Sequence, residues 1–272
     1  MTTRLKRLSS AIRPGCSDLS FRGRCESILR VHRFVLRRAI GGWNNPWLGA
    51  FIREVWRFRT ARRREVALHY APELWHEVMP EILLVQLRDE LKALERKFGF
   101  RLPRVSVFLF QAVGCVTELF GPRYGGLALP SFNAIVVGEH ANTEEDVRHE
   151  LVHLYAARWN PNPPPLLSEG LAVHLQQRWQ GLPVAMYIRR FGSRSEWTLS
   201  SLFDRSFFFD SPFRRGCYGI AGSFTGFVID EFGWNAYRAL YQTCRPNLVD
   251  VAFRKSLGIS FEEAEARWRN RI

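Results

Sequence analysis

The stretch His149-Glu150-Leu151-Val152-His153 decides how the surrounding chain is read. Residues four apart on a helix project from one face, so His149 and His153 can close on a single metal ion. Glu150 sits beside that pair without joining it. A carboxylate there can take the proton from metal-bound water, whose pKa the ion lowers from ~15.7 to ~7. A string this short arises from composition in on the order of one chain in a hundred of this length, so its surroundings must carry weight.

The surroundings read as a helix. Thr143-Glu144-Glu145-Asp146 predicts a helix start, with Thr143 as the N-cap and negative charge in the first turn to suit the helix dipole. Val147, Leu151, Leu154 and Tyr155 follow at apolar helical spacing, which leaves Asp146, His149, Glu150, His153 and Ala157 on another face. A catalytic zinc takes three protein ligands and keeps one position open. The longer zinc motif, with Gly three and His six residues beyond the second His, is absent, because Ala156 and Trp159 stand there. Instead Asn160-Pro161-Asn162-Pro163-Pro164-Pro165 breaks the helix, and a second helix is predicted from about Leu166. Glu169, near its start and beside the small Gly170, is the expected third ligand. His174 competes for that role, but five steps of ~100° put it about 140° around the helix from Glu169, so both cannot face the ion.

This arrangement resembles the gluzincin zinc peptidases, and in particular the small peptidase-MA-like domains, in which a His-Glu-x-x-His helix is followed by a Glu-Gly-x-Ala helix. The resemblance spans about residues 63–272. It covers Pro165 to Ala172, the Leu199 to Leu202 segment, and Tyr218 with the helix behind it through Phe232-Gly233. The closing Leu257-Gly258-Ile259-Ser260 and Trp268 complete it. It implies a zincin-like fold, zinc on His149, His153 and Glu169, and Glu150 as general base. It also implies that one of the two strands before the metal helix aligns an extended substrate by main-chain hydrogen bonds. For Gly125 to Leu129 that role stands beside the reading of an ordinary strand. Tyr218 has two readings as well: a donor to the oxyanion formed at an attacked carbonyl, or a packing residue.

Composition bounds the rest. A chain of 272 residues that is 46% hydrophobic can bury a substantial core. Residues 1–64 carry 16 Lys+Arg against 3 Asp+Glu, while the remainder is balanced at 23 of each, so the net charge of +13 belongs to the first quarter of the chain. Residues 1–62 are therefore expected to be a basic amphipathic extension, and 63–272 the metallopeptidase domain. Trp47, Leu48, Phe51, Ile52, Val55 and Trp56 recur at helical spacing with Arg53, Arg57 and Arg59 between or beside them, and Ile28 to Ile40 repeats the pattern. Such helices could pack on the catalytic domain with solvated Arg faces, lie on an anionic membrane surface, or neutralise nucleic-acid phosphates. No nucleic-acid motif accompanies the charge, which disfavours the last. Five cysteines, Cys16, Cys25, Cys115, Cys217 and Cys244, are odd in number and lack C-x-x-C spacing, so free thiols in a reducing, cytoplasmic setting are expected. No apolar run is long enough to span a membrane, and Arg interrupts every candidate signal sequence. The Arg-rich, acid-poor start also matches an organelle transit peptide in composition.

Strands are predicted at Val66 to Tyr70, Arg104 to Gln111, Gly125 to Leu129 and Asn133 to Val137, and a helix at Glu81 to Lys97. Helices follow at about 218–232, 234–244, 247–257 and 261–271, the last opened by a Ser260 to Glu263 capping box. A small mixed sheet followed by an active-site helix and a mainly helical C-terminal half is an α+β arrangement. His32, His69, His76 and His140 lack partner spacing and read as surface or hydrogen-bonded histidines. The function expected is zinc-dependent hydrolysis of peptide or protein substrates. The alternative is a non-catalytic zinc protein that binds an anionic membrane or another partner through its basic start. Glu150 separates the two, because a structural site has no use for a free carboxylate beside an open coordination position.

Overall fold

A computed structural model of the chain describes residues 51, 54–76, 80–121, 124–191 and 198–272. Residues 1–50, Ile52 and Arg53 of the expected extension lie outside these, so the readings of Cys16, Cys25 and His32 fall there, and the side chain of His76 is likewise outside the described residues.

The main sheet is mixed, in the order β1-β2-β3-β5-β4. Its strands are β1 Arg59–Arg63, β2 Val66–Tyr70, β3 Val105–Phe110, β4 Gly126–Leu129 and β5 Ala134–Gly138. The three central strands run parallel, Val66 opposite Val105 and Ser106 opposite Ala134, and β1 and β4 flank them antiparallel. β2 and β5 are buried throughout and β3 nearly so. Continuous apolar runs belong where both faces of a sheet are covered. Parallel neighbours need crossover connections, supplied by α1 Pro80–Phe98 before β3 and by α2 Val113–Phe120 before the β4–β5 hairpin. On α1 the buried Leu84, Leu87, Leu91, Leu94 and Phe98 recur at three- and four-residue spacing, and Gly99 at φ 78° ends the helix.

The four expected strands appear within about a residue of their predicted bounds, and β1 is added to them. Thr60 Oγ1 and His69 Nδ1, a cross-strand pair, lie 3.0 Å apart, so His69 is a bonded core histidine. The described residues before β1 also join the core. Phe51, Val55 and Phe58 are buried, with Phe51 5.4 Å from Phe108 and 5.7 Å from Phe120 between ring centroids, and Phe58 4.9 Å from Phe110.

The second half is helical: α3 Thr143–Ala156, α4 Pro165–Gln176, α5 Val184–Phe191, α6 Arg205–Asp210, α7 Arg214–Phe232, α8 Trp234–Thr243, α9 Val249–Leu257 and α10 Phe261–Arg269. A short hairpin, β6 Arg178–Trp179 and β7 Leu182–Pro183, follows α4. The chain is α+β, as expected. Ser260 Oγ accepts from Glu263 N at 3.1 Å, which is the predicted cap of the last helix. The predicted Thr143 cap is corrected. Asn142 holds the N-cap position of α3, and Thr143 Oγ1 instead donates to the His140 carbonyl and accepts from its N–H, both at 2.7 Å. That exchange folds the turn leading into the helix and removes Thr143 from the capping position. No helix of the described residues is long and apolar enough to cross a membrane.

Two features set α4 against its neighbours. Asn160, buried at the head of the proline-rich linker, donates through Nδ2 to the Tyr241 carbonyl at 3.0 Å and accepts from Asn162 N at 3.0 Å. Gly170 faces α7 so closely that a methyl group there would overlap Thr225 Oγ1 and the Ala221 carbonyl. Backbone packing this tight fixes the height of Glu169, one residue earlier.

Candidate metal centre

α3 packs on β4 and β5 on one side and on α4 on the other, so its polar residues face an interior seam. His149 and Glu150 are buried there despite their polarity, and Glu169 arrives from α4. His149 Nε2 lies 3.1 Å from Glu169 Oε2 and 3.1 Å from His153 Nε2, and His153 Nε2 lies 3.3 Å from Glu169 Oε2. Ligand atoms 2.0–2.1 Å from a tetrahedral zinc are about 3.3–3.4 Å apart, so the spacing suits one small ion. This buried His149-His153-Glu169 group could hold a metal ion.

The surroundings prepare the group for a cation. His149 Nδ1 is 3.0 Å from Gln176 Oε1. A carbonyl oxygen there selects the tautomer protonated at Nδ1, which leaves the Nε2 lone pair aimed at Glu169 and His153. Three lone-pair donors facing one point is an arrangement that a shared cation resolves. Burial pushes the Glu169 carboxyl up, but the two histidines outweigh it by charge and hydrogen bonding and hold it well below the usual carboxylate range.

Glu150 stands apart from the three candidate ligands. Burial pushes its carboxyl up to about 8; His149 opposes this, Glu169 and Asp146 reinforce it, and a backbone hydrogen bond from Ala128 opposes it again. A cation held beside it would draw that value back down. Its side chain lies against β4, where a methyl group built on Gly126 would stand 2.8 Å from Oε1. β4 is an edge strand of the sheet, and its outer side is not paired with another strand among the described residues.

Tyr218 is in the second turn of α7, a helix that begins four residues before its predicted start. Its ring centroid is 6.0 Å from that of His149, and Trp179 stacks on it at 4.6 Å with planes 10° apart, 6.5 Å from the His149 ring. Burial, with Glu169 and Glu150 nearby, raises its phenol well above the ordinary value, so it stays protonated and can donate. His174 goes elsewhere. Its Nδ1 would meet a methyl group on Gly226 at 3.0 Å, on the α7 side and outside the metal group. His140 Nε2 bonds Asp146 Oδ2 at 2.8 Å, which accounts for that histidine.

Gln176 and Trp179 were not anticipated. Gln176 lies seven residues from Glu169, two turns along one face of α4, and that spacing is the signal that would have found it. Trp179 is placed by the hairpin, whose Trp179 Nε1 donates to the Arg215 carbonyl at 2.7 Å while Arg178 pairs with Glu145 at 3.1 Å. Nothing local in the sequence signals those two contacts. No protein-family model and no curated protein matches this chain, so the reading of the site rests on its own geometry.

Proposed function

We propose that this chain is a zinc-dependent metallopeptidase of the zincin type, with His149, His153 and Glu169 as ligands and Glu150 as general base. The observation that carries the reading is the meeting of three donor atoms within 3.3 Å of one another beside a buried carboxylate that is not among them. A structural metal site has no role for that fourth group. A bound zinc would supply a Lewis acid for a carbonyl oxygen and lower the pKa of water to about 7.

The protein's own groups do the rest. Glu150 takes a proton from the attacking water at its carboxylate and returns it to the leaving amine nitrogen. Its burial keeps bulk water from competing for that proton. The Tyr218 phenol donates to the oxygen that gains negative charge. The outer edge of β4, unpaired among the described residues, can take an extended peptide as an added strand, bringing its scissile bond to the Glu150 side of α3.

Glu150→Gln tests the reading. The variant should keep its metal and its melting temperature, yet hydrolyse a peptide library at least about a hundredfold more slowly, since general-base catalysis is worth 10²–10⁴-fold. Near-normal turnover by a fully metallated variant would exclude Glu150 as the base.

A further inference from the structure

Arg214 opens α7 one helical turn before Tyr218, so the two residues share a face of that helix. Tyr218 uses that face to meet the His149 ring. Trp179, stacked on Tyr218 and bonded to the Arg215 carbonyl, ties the first turn of α7 to the rim of the metal centre. Arg214 is half-buried and makes no ion pair or side-chain hydrogen bond among the described residues. Other arginines around the metal helix are engaged: Arg148 with Glu90, and Arg178 with Glu145. A half-buried arginine with no counter-charge among the described residues is available to pair with an anionic ligand.

We propose that Arg214 is a specificity-determining residue that grips a carboxylate of the peptide substrate, with the Trp179–Tyr218 stack forming the wall between that anchor and the metal centre. This rests on the peptidase reading for the identity of the ligand. The planar guanidinium fork matches a carboxylate with two parallel hydrogen bonds, which a lysine ammonium cannot reproduce. The charge also reaches the reacting end of the site, where it acts on the Tyr218 hydroxyl against the pull of Glu169 and Glu150. Arg215 is not equivalent. It is exposed and lies about 100° further round the helix. The carboxylate has two sources in a peptide, a free C-terminus or an Asp or Glu side chain near the scissile bond.

Binding is measured on the metal-loaded full chain carrying Glu150→Gln, with three sets of N-acetylated hexapeptides. The first set has free C-termini and no acidic residue, the second C-terminal amides and no acidic residue, and the third C-terminal amides with one Asp or Glu. One carboxylate-bearing set should bind at least about tenfold more tightly than the neutral set, since hydrogen bonds to charged groups are the strong class. Which set does so identifies the source. Arg214→Ala should abolish that preference, and Arg214→Lys should keep only part of it. Equal binding of all three sets, or a preference that survives Arg214→Ala, overturns the proposal, and the first comparison needs no variant at Arg214 to be decisive. A carboxylate preference that tracks Arg214 in a chain whose wild type cleaves none of these peptides would sink the peptidase reading alone. Cleavage without such a preference would sink this proposal alone.

Discussion

His149 Nδ1 and Gln176 Oε1 meet at 3.0 Å inside the seam between α3 and α4, with both residues buried. The contact decides which nitrogen of His149 faces Glu169. It also means that α4 supplies both a candidate ligand, Glu169, and the group that orients a candidate ligand on the other helix.

Gln176→Leu is expected to weaken zinc binding about ten- to a hundredfold, the usual effect of removing a partner that orients a metal-binding histidine. Competition with a chromophoric chelator would measure it. Unchanged affinity would show that packing alone sets the His149 ring.

Gly126→Ala acts on Glu150 through contact. The added methyl would stand 2.8 Å from Glu150 Oε1, closer than carbon and oxygen tolerate, and the carboxyl must turn away. Metal content should stay at the wild-type level while kcat falls about tenfold or more and KM moves less. Equal losses in metal and turnover would point to disruption of the whole seam.

His174 sets a pH dependence of stability. Burial lowers its pKa below the ordinary value; Asp230 opposes that shift and Lys97 adds to it. A depressed histidine pKa means that the folded protein binds fewer protons than the unfolded chain. The stabilisation is therefore present above the unfolded pKa of about 6.5 and is lost as pH falls through the folded value. Urea midpoints of metal-free protein at pH 7.5 and 5.5 should differ more for the wild type than for His174→Gln. Parallel losses in the two proteins would assign the acid sensitivity to other groups.

Truncation tests where the folded unit begins. A chain starting at Arg62 lacks Phe51, Val55, Phe58 and most of β1. Burial of each such apolar side chain is worth about 1.5–3 kcal/mol, so their joint loss approaches the net stability of a typical domain. It should be unfolded by circular dichroism, whereas a chain starting at Ala50 should fold and bind zinc. Salt-sensitive attachment to anionic vesicles, if the full chain shows it, should be lost from the Ala50 chain. Attachment that persists there would assign membrane contact to the folded domain.

The parts of this protein legible in the sequence are those whose cause is local. β2, β3 and β5 announce themselves as apolar runs, α1 by leucines at helical spacing, and the two helices of the candidate site by His149, His153 and the Glu169-Gly170 pair after a proline break. β1 was not legible because Arg59-Thr60-Ala61-Arg62-Arg63 is a mostly polar edge strand held by its pairing with β2. The first turn of α7, Arg214 to Cys217, was missed because Gly216 and two arginines give no apolar periodicity, and a tertiary contact through Trp179 steadies it. Thr143 failed as a cap because a nearer partner, His140, captured its hydroxyl.

The two helices that carry the candidate ligands belong to different halves of the molecule. α3 rests on the sheet, whereas α4 rests on α7 and so on the C-terminal helices. An ion held by His149, His153 and Glu169 would therefore act as a rivet through the joint between them, adding its binding energy to the cohesion of two layers joined in sequence by the proline-rich linker. Stripping the ion should loosen that joint before it melts either layer, and amide exchange in metal-free protein should rise first along α4 and at the α3 turns facing it.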